Sequence, residues 1–255
     1  MITRVDTPRR RARFRNACRG RLYLGASLPQ ALELFGKSQP GRFYCGPTLA
    51  LDLGGSFARM AGHADPAELA SFLSFSGCSA VLLDERDGTP PAGWRRERSH
   101  HLFTLEPGGA LPLPPVEEAL WSSLVLDPEP RPGAVAQALF PDRPARREDF
   151  YSELCTKRNH GAARVWALER QGELVCTVGA YALYAGQAYL ACGQTQEALR
   201  GQGIGGRLIV QAANTLAAGG WKVCFLCADE RVNFYTRLGF APAGALARYA
   251  APDAE

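Results

Sequence analysis

No run in the chain approaches the roughly 18–20 consecutive apolar residues of a membrane span, which argues against a transmembrane role. The opening stretch, MITRVDTPRRRARFRN, has no apolar core of the kind a secretory signal needs. Asp6 and a shortage of serine count against an organellar transit peptide, so the expected location is the cytoplasm. Cysteine is too sparse for a disulfide scaffold: eight are scattered through 255 residues, as suits small buried hydrophobes in a reducing compartment. Histidine is scarcer, with four dispersed residues. The one C-x-x-C, Cys224 to Cys227, lies in the apolar run VCFLC, and on a strand residues three apart face opposite ways. Zinc-ligand spacing is therefore missing and no metal is expected. Acids are what the first twenty-one positions lack, where eight arginines face only Asp6. No interleaved aromatics or nucleic-acid motif accompany that run. It reads as a solvated tail entering the polar face of a first helix, and nucleic acid is not an expected partner.

What is present is an ordinary globular composition, 46% hydrophobic and 21% charged, on a chain long enough for one large domain or two small ones. Three Pro/Gly-rich stretches break it: RDGTPPAG (86–93), EPGGALPLPP (106–115) and DPEPRPG (127–133). The first two place a domain boundary between residues 85 and 115, giving an N-terminal α/β domain over 1–110 and a second domain over 111–255. In the first, LALDL and SFARMAG flank Gly54-Gly55 as a hairpin. A helix over DPAELASFLSF is expected to start with Asp65 as N-cap and Pro66 at its first position, and SAVLLDE reads as a strand. In the second, LWSSLVL (120–126) reads as a strand, and GAVAQALF and REDFYSELCTKR as helices. Three strands follow, ARVWALE, ELVCTVGAYALY and QAYLACGQT, joined by turns at Gln171-Gly172 and Ala185-Gly186. A glycine loop leads into the helix GRLIVQAANTLAAGG. The strand WKVCFLCA and a short helix, RVNFYTRLGF, complete the order β-α-α-β-β-β-α-β-α, which implies a mixed sheet with helices packed on it.

The glycine loop is where chemistry is legible. In LRGQGIGGRLI (199–209), Gly201, Gly203, Gly205 and Gly206 precede an apolar helix, the usual way to bring backbone N–H groups close to phosphate. Gly201, Gly203 and Gly206 satisfy G-x-G-x-x-G, and Asp229 stands about where a ribose-binding acid belongs in a dinucleotide fold. Two features weaken that reading. The polar QTQEALR separates the strand from the first glycine, and only about twenty-six residues follow Asp229, too few for the rest of a doubly wound sheet. The Walker A pattern fails for want of G-K-[ST].

TQEALRGQGIGGRLI followed by NFYTRLGF resembles the paired motifs of the GNAT acyltransferase superfamily, which uses acetyl-CoA. Arg200, Gly201, Gln202, Gly203, Ile204 and Gly205 match the family's R/Q-x-x-G-x-G/A segment one for one, with Gly206 and Arg207 continuing the helix start. The resemblance covers about 115–250 and implies a mixed α/β fold whose fourth strand (about 187–195) splays from the fifth (about 222–228). The CoA pyrophosphate would then rest on the loop amides, and pantetheine would lie in the gap against the backbone of Gly193, Gln194 and Thr195. Tyr235 to Phe240 match the Y-x-x-x-G-F signature. The family's Tyr commonly protonates the departing CoA thiolate, and a phenol of pKa ~10 suits an alkyl thiol near ~8.5–10.

The match is incomplete. The Asn that many members carry seven residues before the Tyr is Ala228 here, and the Glu that histone-type members place near the start of the fourth strand is Gln187, which cannot accept a proton. Glu173, Glu197 and Asp229 are the nearby carboxylates, and none matches a family motif. The first half resembles a degenerate relative of the same fold. With no R-G-x-G-x-G in 1–110 it is not expected to bind CoA, and the other reading makes it an appended α/β domain shaping the acceptor cleft. The expected function is transfer of an acetyl group from acetyl-CoA to an amine of a small molecule or peptide. The alternatives are a non-catalytic acyl-CoA sensor, motivated by the missing base, and a dinucleotide-dependent oxidoreductase. Acceptor, general base and oligomeric state are not readable from these residues.

Overall fold

The computed structural model describes residues 1–86 and 88–252. Its contacts divide the chain into two units. The first takes residues 1–102 with 226–232 and the C-terminal segment from Pro242, and the second takes 103–225 with 233–241. Each is a mixed α/β layer structure.

The first unit runs β1 (Thr3–Arg4), α1 (Pro8–Cys18), α2 (Leu24–Phe35), β2 (Phe43–Cys45), β3 (Thr48–Gly54), β4 (Phe57–His63), α3 (Pro66–Phe75), β5 (Ala80–Leu83) and most of β6 (Arg95–Leu105). It also holds most of the last strand, β12 (Ala241–Ala250). Its strand order is β1-β2-β3-β4-β5-β12-β6, with β4 and β5 parallel. The hairpin expected at Gly54-Gly55 joins β3 to β4, and Gly55 supplies the positive φ of the turn. α1 and α2 pack on β3 and β4. Leu69 and Leu73 of α3 join Leu49, Leu51, Met60 and Val81 in a core closed by Trp94 and Tyr249. Asp65 caps α3 as its sequence predicts, accepting from the N–H groups of Ala67 (3.1 Å) and Glu68 (2.8 Å). The arginine-rich run begins as a true helix, because Thr7 caps it and Phe14, Ala17 and Cys18 give it a buried stripe.

The second unit runs α4 (Glu118–Ser122), β7 (Val125–Asp127), α5 (Pro132–Leu139), α6 (Pro144–Asn159), β8 (Arg164–Arg170), β9 (Glu173–Tyr184), β10 (Gln187–Thr195), α7 (Ile204–Ala218), β11 (Lys222–Cys227) and α8 (Val232–Arg237), the last two shared in part with the first unit. The strands lie in the order β11-β10-β9-β8-β7; β10 and β11 are parallel, the other pairs antiparallel. Both turns read from the sequence have positive φ at their two central residues: 54° and 81° at Gln171-Gly172, 48° and 77° at Ala185-Gly186. This is the twist that two-residue hairpins prefer. LWSSLVL is a correction: its first half is the helical turn α4, closed by the Ser123 hydroxyl donating to the Leu120 carbonyl, and only the end of the segment enters β7. The Pro-rich segment after β6 is held to α7 rather than loose. Gly108 N–H donates to Ala217 O (2.8 Å), and the Asn214 amide bonds both the N–H and the carbonyl of Leu111 (2.9 and 2.8 Å).

Candidate active site

The glycine loop ends a 3-10 turn (Glu197–Leu199) and opens α7. Gly203 is the N-cap, in the left-handed region at φ 81°, and no side chain caps the helix. Arg207 N–H makes the first helical bond, to Gly203 O at 3.0 Å. The N–H groups of Ile204, Gly205 and Gly206 thus fall before the intrahelical ladder starts, at its electropositive end. Gly201, at φ 78°, has open space where a Cβ would project. Gly205 serves packing instead: a Cβ there would stand 2.7 Å from Thr195 Oγ1, so only glycine lets the helix start lie against the end of β10.

The parallel pairing of β10 with β11 runs from Gln187–Lys222 to Leu190–Phe225 and stops there, although β10 continues to Thr195. On the other side of β10 the register with β9 jumps between Ala191–Gly179 and Gln194–Thr177. Two residues, Cys192 and Gly193, oppose one in this β-bulge, and Cys192 takes a positive φ of 53°. Backbone groups near the end of β10 are thereby released from pairing on the β11 side. Gln194 is tied elsewhere by its side chain, Nε2 donating to Ala138 O of α5 at 2.9 Å, and Thr195 O accepts from Arg200 Nε at 3.1 Å. Gln202 Nε2 donates back to Ala198 O (3.1 Å). The Arg207 guanidinium lies over the Trp121 ring, 4.3 Å from its centroid, a cation–π contact between residues 86 positions apart that no local signal announces.

Tyr235 sits on α8, half-buried, with its ring 4.4 Å from Phe225, 5.0 Å from Phe234, 6.0 Å from Phe103 and 6.4 Å from Phe240 (centroid distances). Phe225 is the last β11 residue paired with β10, so the phenol ring packs on the residue where the two strands part. Phe234 and Leu238 of the same segment lie 3.4–3.5 Å from where a Gly206 Cβ would be, which anchors α8 to the start of α7. Desolvation pushes the Cys192 thiol up to about 11 although the residue is exposed, and raises Cys227 as well. Both sulfurs are therefore held as neutral thiols, the opposite of an activated nucleophile.

A cavity of about 360 Å³ opens on the α5 face of this sheet, lined by Ala134 and Ala138 of α5, Val175 and Thr177 of β9 and Gln194 of β10, with Glu173 at its edge. Glu197 opens the 3-10 turn before the glycine loop, and Asp229 Oδ1 lies 2.5 Å from His101 Nε2 within the first unit.

Residues 161–242 match a family model described as an acetyltransferase (GNAT) domain. This stretch is a GNAT domain. No curated protein matches the chain in sequence. Among solved structures, the chain resembles in fold a GCN5-related N-acetyltransferase from Sphaerobacter thermophilus, at 15% identity over 98% of this chain and 94% of that one, TM-score 0.66. It also resembles a GCN5-related N-acetyltransferase from Kribbella flavida, at 18% identity over 88% and 94%, TM-score 0.61. A tandem GNAT protein from the clavulanic acid biosynthesis pathway aligns over 100% of this chain and 99% of its own, at 12% identity and TM-score 0.61. At such identities the likeness is one of fold, and it extends to the N-terminal half, which is GNAT-like as well. That half lacks the open helix start of the GNAT domain's loop. At the corresponding point, between β4 and α3, the Asp65 carboxylate already occupies the first-turn N–H groups.

Proposed function

We propose that the GNAT domain takes acetyl-CoA as donor and transfers its acetyl group to an amine, on a small molecule or a peptide, by direct attack. The observation that carries this reading is the uncapped glycine start of α7 beside the point where β10 and β11 stop pairing. The residues present fit such a donor. The amides of residues 204–206 suit a pyrophosphate, Gly201 leaves room for close approach, and the freed β10 backbone at Gly193 to Thr195 suits the amides of pantetheine. Arg200 and Arg207 add positive charge on either side of the loop. The donor, when bound, supplies an activated thioester.

In this reading Tyr235 gives its proton to the departing sulfur, and the packing of its ring on Phe225 and Phe103 supports that role by holding it beside the point where β10 and β11 part. The raised thiols of Cys192 and Cys227 favour attack by the acceptor itself over a covalent cysteine intermediate. Isothermal titration with acetyl-CoA, CoA, NAD and ATP tests the donor: saturable binding of the two CoA species and of neither nucleotide is expected. Thiol release across a panel of amines then tests the transfer. Binding without release from any amine would replace this reading with that of an acyl-CoA sensor.

A further inference from the structure

Tyr181 of β9 is buried, 8% exposed, and its hydroxyl has no hydrogen-bond partner among the described residues. Thr177 on the same strand behaves differently: more deeply buried still, it donates its hydroxyl to Trp166 O at 3.1 Å. A phenylalanine would fill the Tyr181 site without a stranded polar atom, so the hydroxyl works against the free protein. The chain also gives up a side chain to seat it. A Cβ on Gly179 would lie 2.5 Å from Tyr181 Cζ and 2.8 Å from its Oη, so the ring leans back along the strand over Gly179. Phe150 of α6 holds the ring from above, centroids 5.4 Å apart at 61°.

That seat has a definite address. Gly179 pairs with Ala191, the last β10 residue before the bulge, and Ala191 packs with Tyr181 in one cluster. The hydroxyl therefore points along β9 to the place where Cys192 and Gly193 leave the ladder. Thr177, one step further on the same face, lines the cavity under α5. Burial, and after it the Cys192 thiol, raises the phenol well above its ordinary value, so it stays a neutral hydrogen-bonding group.

We propose that the Tyr181 hydroxyl binds the acceptor, taking a hydrogen bond from an N–H of the neutral amine beside the β10 bulge. The inference rests on the acyltransferase reading above. In that role the phenol orients the amine without exchanging its proton, and the missing partner in the free protein is supplied by the substrate.

The test is Tyr181→Phe in the full chain, read in three ways. Acetyl-CoA affinity by titration should be unchanged, and Tm should equal or exceed that of the wild type. kcat/KM for the best amine of the panel should fall about tenfold, the scale of one lost hydrogen bond to a substrate. The ratio of wild-type to variant kcat/KM should also stay constant from pH 6 to 9, since a neutral phenol does not titrate there. Kinetics within twofold of wild type overturn the inference and leave the acyltransferase intact. A fall in Tm overturns it too, by showing that the hydroxyl is bonded within the protein. A wild type that binds no acetyl-CoA, or acetylates no amine, removes the reading on which it rests.

Discussion

Tyr235 packs its ring against Phe225, Phe103, Phe234 and Phe240, so removing its hydroxyl leaves nearly all of its packing in place. Tyr235→Phe therefore separates chemistry from structure. General acid catalysis contributes ~10²–10⁴-fold, roughly 3–5 kcal/mol of barrier, and kcat should fall by that much with acetyl-CoA affinity unchanged. A fall below threefold, in enzyme normalised to folded fraction, would move the acid to another group. Gly203 carries a second prediction at this scale. Its φ of 81° suits only a residue without Cβ, and an added Cβ would sit 3.0 Å from Pro115 O. Gly203→Ala should cost about 1–2 kcal/mol in chemical denaturation and, by turning the α7 start, should weaken acetyl-CoA binding at least tenfold. The spacing of these glycines made the loop legible from sequence. Nothing local announced that Gly205 makes room for Thr195, that Arg207 lies on Trp121, or that Gly179 seats Tyr181, because each pairs residues far apart in the chain.

At the scale of elements, the β3–β4 hairpin carries the clearest electrostatic consequence. Asp52 and Arg59 face each other across it, and Arg42 joins them: Asp52 accepts from Arg42 Nε (2.5 Å) and Nη1's neighbour Nη2 (3.1 Å) and from Arg59 Nη2. Burial alone would raise the Asp52 carboxyl, but the two guanidinium groups outweigh it and hold the group below its ordinary 3.8. A carboxyl with a depressed folded value stabilises above its unfolded value and loses that stability as pH falls through the folded one. The melting temperature should thus be insensitive to Asp52 from pH 7 to 5 and should decline below about pH 4. Asp52→Asn, which strands two arginines, should cost about 3–5 kcal/mol at pH 7 and flatten that acid decline. Local rules foresaw the elements whose signals are local: the Gly54-Gly55 hairpin, the Asp65 cap and the two-residue turns around β9. They did not foresee β6 and β12. β6 brings Arg96 to Glu85 and Glu97 to Arg248, and β12 becomes a strand by pairing Ala247 with Leu83, contacts between residues far apart in the chain. The apolar residues of LWSSLVL fit a strand, yet Ser123 closes a helical turn over the first half of the segment.

Over the whole molecule the element order repeats. A short strand, two helices, three strands, a helix and a strand occur from β1 to β5 and again from β7 to β11, which is the logic of a duplicated GNAT-like fold. The closing strand of the second copy does not stay with it: from Pro242 onward β12 belongs to the first unit, antiparallel to β5 and next to β6. A fragment starting at residue 112 holds every motif of the GNAT domain yet removes both β5 and β6. β12 would then present two unpaired edges together with Leu246, Ala247 and Tyr249, which are buried in the full chain. The fragment 112–255 is therefore expected to aggregate or to form dimers through β12. Co-expression with 1–111 should restore a soluble complex that binds acetyl-CoA with the affinity of the intact chain. Size exclusion and hydrogen exchange decide the matter. A monomeric fragment with the amides of residues 242–250 protected would show that the second copy closes its own sheet, and would make the first unit dispensable for the fold of the GNAT domain.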